Sequence, residues 1–195
     1  MKSFRIAFVF IFLLSAGLGL QAQDILKREQ WNAKAPVMEM EAHQLQYITI
    51  HHTATPQKPE VSVAQKVQAL QRFSQSDSKL ADGTPKPAWA DVPYHFYIAE
   101  NGTIAEGRDI NYAGDTNTSY DPKGHVLIVL EGNFEKTKPG QQQLQSLYPL
   151  VEKLSKEYHI NPKQIGGHKD YAKTACPGDF LYSILPQLRR EIAEK

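Results

Sequence analysis

The sequence predicts one α/β domain with a central mixed β-sheet and helices on both of its faces. Three observations point there. Short segments that alternate or run apolar over six residues take turns along the chain with longer segments whose apolar residues recur every three or four positions. No internal repeat or low-complexity tract interrupts this succession. The 195 residues, 41% of them hydrophobic, suit one core, since a chain of this size buries roughly 70% of its unfolded surface.

Taking the chain in order, Lys2 and Arg5 lead into fifteen uncharged, mostly apolar residues, 6–20, and Leu20-Gln21-Ala22 ends on a small residue. Residues 1–22 therefore read as a secretory signal peptide, and residues 23–195 as the exported domain, periplasmic or secreted. The apolar run is shorter than the about 20 residues that span a bilayer, so no stable membrane anchor is expected. Removing it takes two cations and no acid, moving the formal charge from +1 to −1. That balance excludes a strongly basic surface for nucleic acid or anionic membrane, and a monomer is expected.

Gln46-Tyr47-Ile48-Thr49-Ile50-His51 alternates and is rich in β-branched residues, which predicts a strand. Ser62 with Gln65 forms a capping box, and Val63, Val67, Leu70 and Phe73 then recur at helical spacing. Residues 75–93, rich in Ser, Asp, Gly, Pro and Lys around Trp89, predict a long surface loop. Residues 94–99 and 103–106 flank Asn101-Gly102, which predicts a hairpin with a type I′ turn. The continuous run His125-Val126-Leu127-Ile128-Val129-Leu130 predicts a central strand covered on both faces. Leu144, Leu147, Val151, Leu154 and Tyr158 form a helical stripe in which Pro149 should kink the helix or face outward. A last helix is expected from Phe180 onward, with Pro186 inside it.

The chain contains a single cysteine, Cys176, in Gly167-His168-Lys169-Asp170 through Ala175-Cys176-Pro177. In an exported protein a leftover thiol is reactive, paired between molecules, or bound to something. Seven histidines accompany it, and four or five should be structural. Side chains alternate along a strand, so His52 shares a face with Ile48 and Ile50 and should pack, whereas His51 shares one with Tyr47 and Thr49. Two imidazoles and one thiolate, from His51, His168 and Cys176, make the donor set of a catalytic zinc site that keeps a fourth position open. A loop from His168 to Cys176 that returns on itself would bring two of them together. The competing reading makes Cys176 the nucleophile of a cysteine hydrolase with His168 as base. Glu131, at the end of the apolar strand, is a candidate proton acceptor or a surface acid.

Several ordered segments carry a resemblance: Arg28-Glu29-Gln30-Trp31-Asn32-Ala33, Ile48-Thr49-Ile50-His51-His52-Thr53-Ala54, Tyr94-His95-Phe96, Asn101-Gly102-Thr103 with Glu106-Gly107-Arg108, Glu131-Gly132-Asn133-Phe134, and Gly167-His168 through Ala175-Cys176-Pro177-Gly178. Together they resemble the zinc-dependent N-acetylmuramoyl-L-alanine amidases, a family that includes the peptidoglycan recognition domains. The resemblance implies that His51, His168 and Cys176 are zinc ligands. It implies that Tyr94 is catalytic and that Thr174 sits where relatives carry Lys or Thr near the reacting water. The implied substrate is peptidoglycan or a muropeptide, cut between the muramic lactyl group and L-alanine. A muropeptide-binding module that does not cut is the alternative; family members of that kind usually lack the cysteine. Two departures touch the expected stem-peptide groove: Asp109-Ile110 follows Gly107-Arg108 where Gly-Trp is usual, and Asp115 stands where His is frequent. Trp89, Tyr112, Asn117 and Tyr120 are further groove candidates.

Overall fold

The computed structural model describes residues 25–80 and 82–195, so the expected signal peptide lies outside the described residues. Eight strands are present: β1 (Ile25–Leu26), β2 (Tyr47–His52), β3 (Ser78–Lys79), β4 (Pro85–Lys86), β5 (Phe96–Ile98), β6 (Ile104–Glu106), β7 (His125–Leu130) and β8 (Ile165–Gly167). The helices are α1 (Val63–Ser74), α2 (Gln141–Glu157), α3 (Asp179–Tyr182) and α4 (Leu185–Ala193).

Six strands form one sheet in the order β1-β6-β5-β7-β2-β8, and β3 pairs with β4 in a separate two-stranded ribbon. Only the β5–β6 pair within the large sheet is antiparallel, so the sheet is mixed, as the sequence predicts. Strand β7 is buried along its whole length between β5 and β2, which is why its sequence runs apolar without alternation. The even-numbered residues Ile48, Ile50, Val126, Ile128 and Leu130 pack against Leu147, Leu150 and Val151 of α2 and Leu185 and Leu188 of α4. On the opposite face Val129, Tyr97, Ala99 and Ala105 pack with Val67 of α1, Trp31 and Val92. Helices thus cover both faces.

Local chemistry explains the element ends. The Ser62 hydroxyl accepts from the Gln65 N–H at 3.3 Å, and the Gln65 side chain accepts from the Ser62 N–H at 3.3 Å, which closes the expected capping box. Helix α2 runs through Pro149, whose ring faces solvent, so one of the two expected outcomes holds. The buried Trp31 donates its indole N–H to the Glu106 carbonyl at 2.8 Å and ties the first motif to β6.

Three local expectations need correction. The β5–β6 connection is not type I′, because Asn101 is not left-handed and only Gly102 has positive φ, at 84°. Ala99 N–H donates to Thr103 O at 3.0 Å, so residues 100–102 form a three-residue loop. There α2 approaches so closely that a Cβ on Gly102 would lie 2.7 Å from the Gln142 carbonyl. Residues 75–93 are not a surface loop throughout: they contain β3 and β4, and Ala90, Asp91 and Val92 are buried, Asp91 receiving Arg28 at 2.7 Å. The last helix is two, because Pro186 belongs in the first turn of α4, where its missing N–H costs nothing. The sequence reading passed over β1 and β8, which are two and three residues long; Ile165-Gly166-Gly167 has no periodicity to read.

Candidate metal centre

Parallel pairing places the candidate residues. Strands β2 and β8 pair with Ile50 opposite Gly167, so His168, the residue after β8, falls beside His51, with ring centroids 4.6 Å apart. The segment that follows doubles back: Lys169 N–H donates to the Cys176 carbonyl at 2.8 Å. Gly167 permits this, since a Cβ there would meet the Pro177 ring at 2.8 Å. The result is one cluster in which donor atoms of His51, His168 and Cys176 all lie within 4.8 Å of one another. It opens at the carboxyl ends of β2 and β8, on the face that carries Tyr47 and Thr49.

The two adjacent histidines divide as strand alternation requires. His52 points to the other face, where its Nδ1 accepts the Phe134 N–H at 3.2 Å. His51 Nδ1 faces Cys176 Sγ at 3.7 Å, while its Nε2 is buried without a hydrogen-bond partner among the described residues. His168 Nε2 contacts the Thr118 hydroxyl at 2.8 Å; with Thr118 as acceptor, Nδ1 carries the lone pair. Such an outer hydrogen bond orients a metal-ligating imidazole.

The donors fit a tetrahedral cation. Two ligands at ordinary zinc distances are about 3.3–3.6 Å apart. The His51–Cys176 separation is close to that, and the widest separation leaves about 1 Å for side-chain rotation. Electrostatics agree. Burial pushes the Cys176 thiol up to about 12, offset in part by the His52 N–H and Lys169. Burial first, then His168, lowers His51 well below the usual imidazole range, and burial followed by His52 brings His168 down to about 4. Without a metal all three groups are held in their uncharged forms; a bound cation would offset the desolvation of the sulfur, which ligates as a thiolate after releasing its proton.

Around this cluster the structure gathers some of the other candidates and separates others. The Tyr94 ring lies 5.2 Å from the His51 ring. Its phenol is pushed well above its ordinary range, chiefly by burial and secondarily by Cys176, so it is a proton donor at neutral pH. Thr174 accepts the Cys176 N–H at 3.2 Å, which leaves its own O–H to donate. Glu131 is not brought to the cluster. Its carboxylate receives Lys66 Nζ at 2.8 Å and the Lys58 N–H at 2.9 Å, and Lys66 also pairs with Glu100. It is neither a proton acceptor poised at the donors nor a surface acid, but part of a buried ion cluster under α1. Arg108 is also internal, donating to the carbonyls of Val92 and Ala113 and pairing with Asp115. This explains why an acid stands at 115. Trp89, Tyr120, Arg108, Asp115 and Thr118 line a groove of about 410 Å³ beside the cluster. Tyr112 gives its carbonyl to His95, and Asn117 is exposed.

The sequence reading passed over Thr118, Lys66 and Tyr171. No motif marks them; only pairing across about 50 residues or more reveals the first two.

The histidines outside the cluster predict acid lability. His95 Nδ1 accepts the Leu127 N–H at 2.8 Å and its Nε2 bonds the Tyr112 carbonyl at 2.9 Å, so a second proton has no place. Burial lowers His95 from 6.5 to about 3, and His52 and His125 to about 4. These values lie below those of the unfolded chain, so the unfolded state binds more protons as pH falls through 6.5. Stability is fully present above that pH and is lost progressively toward 4. Thermal melts should therefore show a falling midpoint from pH 7 to pH 4.5; a flat profile would contradict the neutral, buried assignment.

The protein is thus an α/β domain whose mixed sheet is covered on both faces and carries a two-imidazole, one-thiol cluster at the ends of its parallel strands. The family model described as Amidase_2, N-acetylmuramoyl-L-alanine amidase, matches residues 41–179, and the chain belongs to that family. It is 28% identical over 183 residues to peptidoglycan recognition protein 1 of Mus musculus, covering 91% of this chain and 94% of that protein. Among solved structures it resembles Drosophila peptidoglycan recognition protein SD, with a TM-score of 0.70, 27% identity, and 84% and 94% of the two chains covered. It also resembles the ectodomain complex of peptidoglycan recognition proteins LCa and LCx with tracheal cytotoxin bound, with a TM-score of 0.68, 26% identity, and 84% and 95% covered.

Proposed function

We propose that the protein is a zinc-dependent amidase, exported by residues 1–22, that hydrolyses the bond between the lactyl group of N-acetylmuramic acid and L-alanine in peptidoglycan or its muropeptides. The observation that carries this reading is the complete donor set His51, His168 and Cys176 within one 4.8 Å cluster, in a chain of the amidase family. The three groups would hold the ion through two neutral imidazole nitrogens and the sulfur, which releases its proton on binding. When bound, zinc supplies a Lewis acid that polarises the scissile carbonyl and makes water acidic enough to react near neutrality.

The chain's own groups then do the following. Tyr94 donates its phenolic hydrogen bond to the carbonyl oxygen as charge gathers there. Thr174 orients water or carbonyl through its remaining O–H, without the positive charge that a lysine would bring. The groove past Thr118 and Tyr120 holds the stem peptide beside the cluster. Across the reaction water's hydroxyl ends on the acyl carbon and its hydrogen on the departing α-amino group of L-alanine. Glu131 takes no part in this scheme, because Lys66 and two backbone N–H groups already occupy its carboxylate.

The test is mass spectrometry of defined muropeptides after incubation with the purified protein, with zinc and after chelation. Free stem peptide should form with zinc, vanish with chelator and return on readdition. Unchanged products under chelation would point to Cys176 as nucleophile. Binding without any product would point to a recognition module.

A further inference from the structure

Tyr120 is held beside the cluster in an unusual state. Its ring packs 5.2 Å from the ring of His168, 5.3 Å from His125 and 5.8 Å from Tyr171, so its position is set on three sides. Yet its hydroxyl oxygen is buried and has no hydrogen-bond partner among the described residues. Among the described residues only three buried side-chain polar atoms are in that condition, and His51 Nε2 is another. Two of the three thus lie at one site. A buried hydroxyl without a partner is destabilising, and a catalytic role is one of the few reasons for which native proteins retain such a group.

The rings around the cluster are contiguous: Tyr94 lies 5.2 Å from His51, His51 4.6 Å from His168, and His168 5.2 Å from Tyr120. Two phenols therefore flank the two imidazoles, Tyr94 from just before β5 and Tyr120 from the loop before β7. Tyr120 also lines the groove of about 410 Å³. Two residues earlier, Thr118 holds His168.

We propose that Tyr120 is a second substrate-contacting phenol, donating to the carbonyl region of a muropeptide from beside His168 as Tyr94 does from beside His51. This rests on the amidase reading for the identity of the substrate. No described residue claims the hydroxyl, which leaves it free to bond a substrate, and the ring is fixed beforehand by His168, His125 and Tyr171. Such prior fixation reduces the ordering cost of binding.

Tyr120→Phe separates this role from a structural one. No hydrogen bond to a described residue is lost in the free protein, so the melting temperature of the metal-free variant should equal or exceed that of the wild type, and its zinc content on loading should be unchanged. Calorimetric titration of the metal-free protein with an N-acetylmuramoyl-tripeptide should give binding weaker by about 10-fold, the loss of one hydrogen bond. Turnover by the zinc-loaded variant should fall by at least as much, and less than multiplicatively when combined with Tyr94→Phe. A melting temperature lowered by several degrees would reveal a structural bond and overturn the proposal. Unaltered affinity would overturn it too. Wild type that binds the tripeptide but never cleaves it would sink the hydrolytic reading and leave Tyr120 to be decided by the binding measurement. Wild type that does not bind would sink both.

Discussion

Replacing Cys176 with serine is expected to remove metal and activity together. A serine hydroxyl does not ionise near neutrality and is a poor substitute for a thiolate on zinc. Loss of an outer-shell partner alone lowers metal affinity about 10–100-fold, and loss of a direct ligand should exceed that. Zinc content after dialysis and release of stem peptide should both fall to background. His52→Ala provides the contrast. His52 faces away from the cluster and holds the Phe134 N–H, so its loss should lower the melting temperature while zinc remains. A Cys176→Ser protein that retained zinc and full turnover would remove the sulfur from the site. Retained folding of His52→Ala with no zinc would exchange the roles of the two histidines.

Tyr94→Phe should leave the metal in place and reduce turnover by about 100–1000-fold, the usual cost of one donor to a developing oxyanion. The argument depends on the phenol's being neutral. Burial and Cys176 push it well above its ordinary range, so at neutral pH it has a proton to donate and cannot serve as a base. Its ring is 5.2 Å from that of His51, one of the three proposed ligands. The effect should appear in kcat more than in KM, since the bond strengthens as charge develops on the oxygen. Unchanged kcat with unchanged metal content would show that the oxyanion is stabilised by other groups.

Much of the site was legible because strand alternation is a local rule. Choosing His51 over His52 needed only the parity of Ile48 and Ile50, and the structure places Ile48, Ile50 and His52 on one face with His51 on the other. The apolar run of β7 likewise announced its burial. Glu131 shows the limit. A carboxylate at the end of a central strand reads the same whether it serves chemistry or pairs with a lysine, and the lysine that claims it, Lys66, is 65 residues away on α1. Thr118 was overlooked for the same reason, its partner being His168.

By itself the sequence determined the α/β class and the order and faces of the main elements, since periodicity and capping are properties of neighbouring residues; the set of two histidines and one thiol it offered only as a candidate that the family resemblance implied. Only the tertiary structure decided that Glu131 and Arg108 are committed to internal ion pairs and that Thr118 holds His168. It also decided that the Tyr120 hydroxyl is buried without a partner among the described residues. Those facts depend on desolvation and on distances between segments far apart in the chain, which no local pattern encodes.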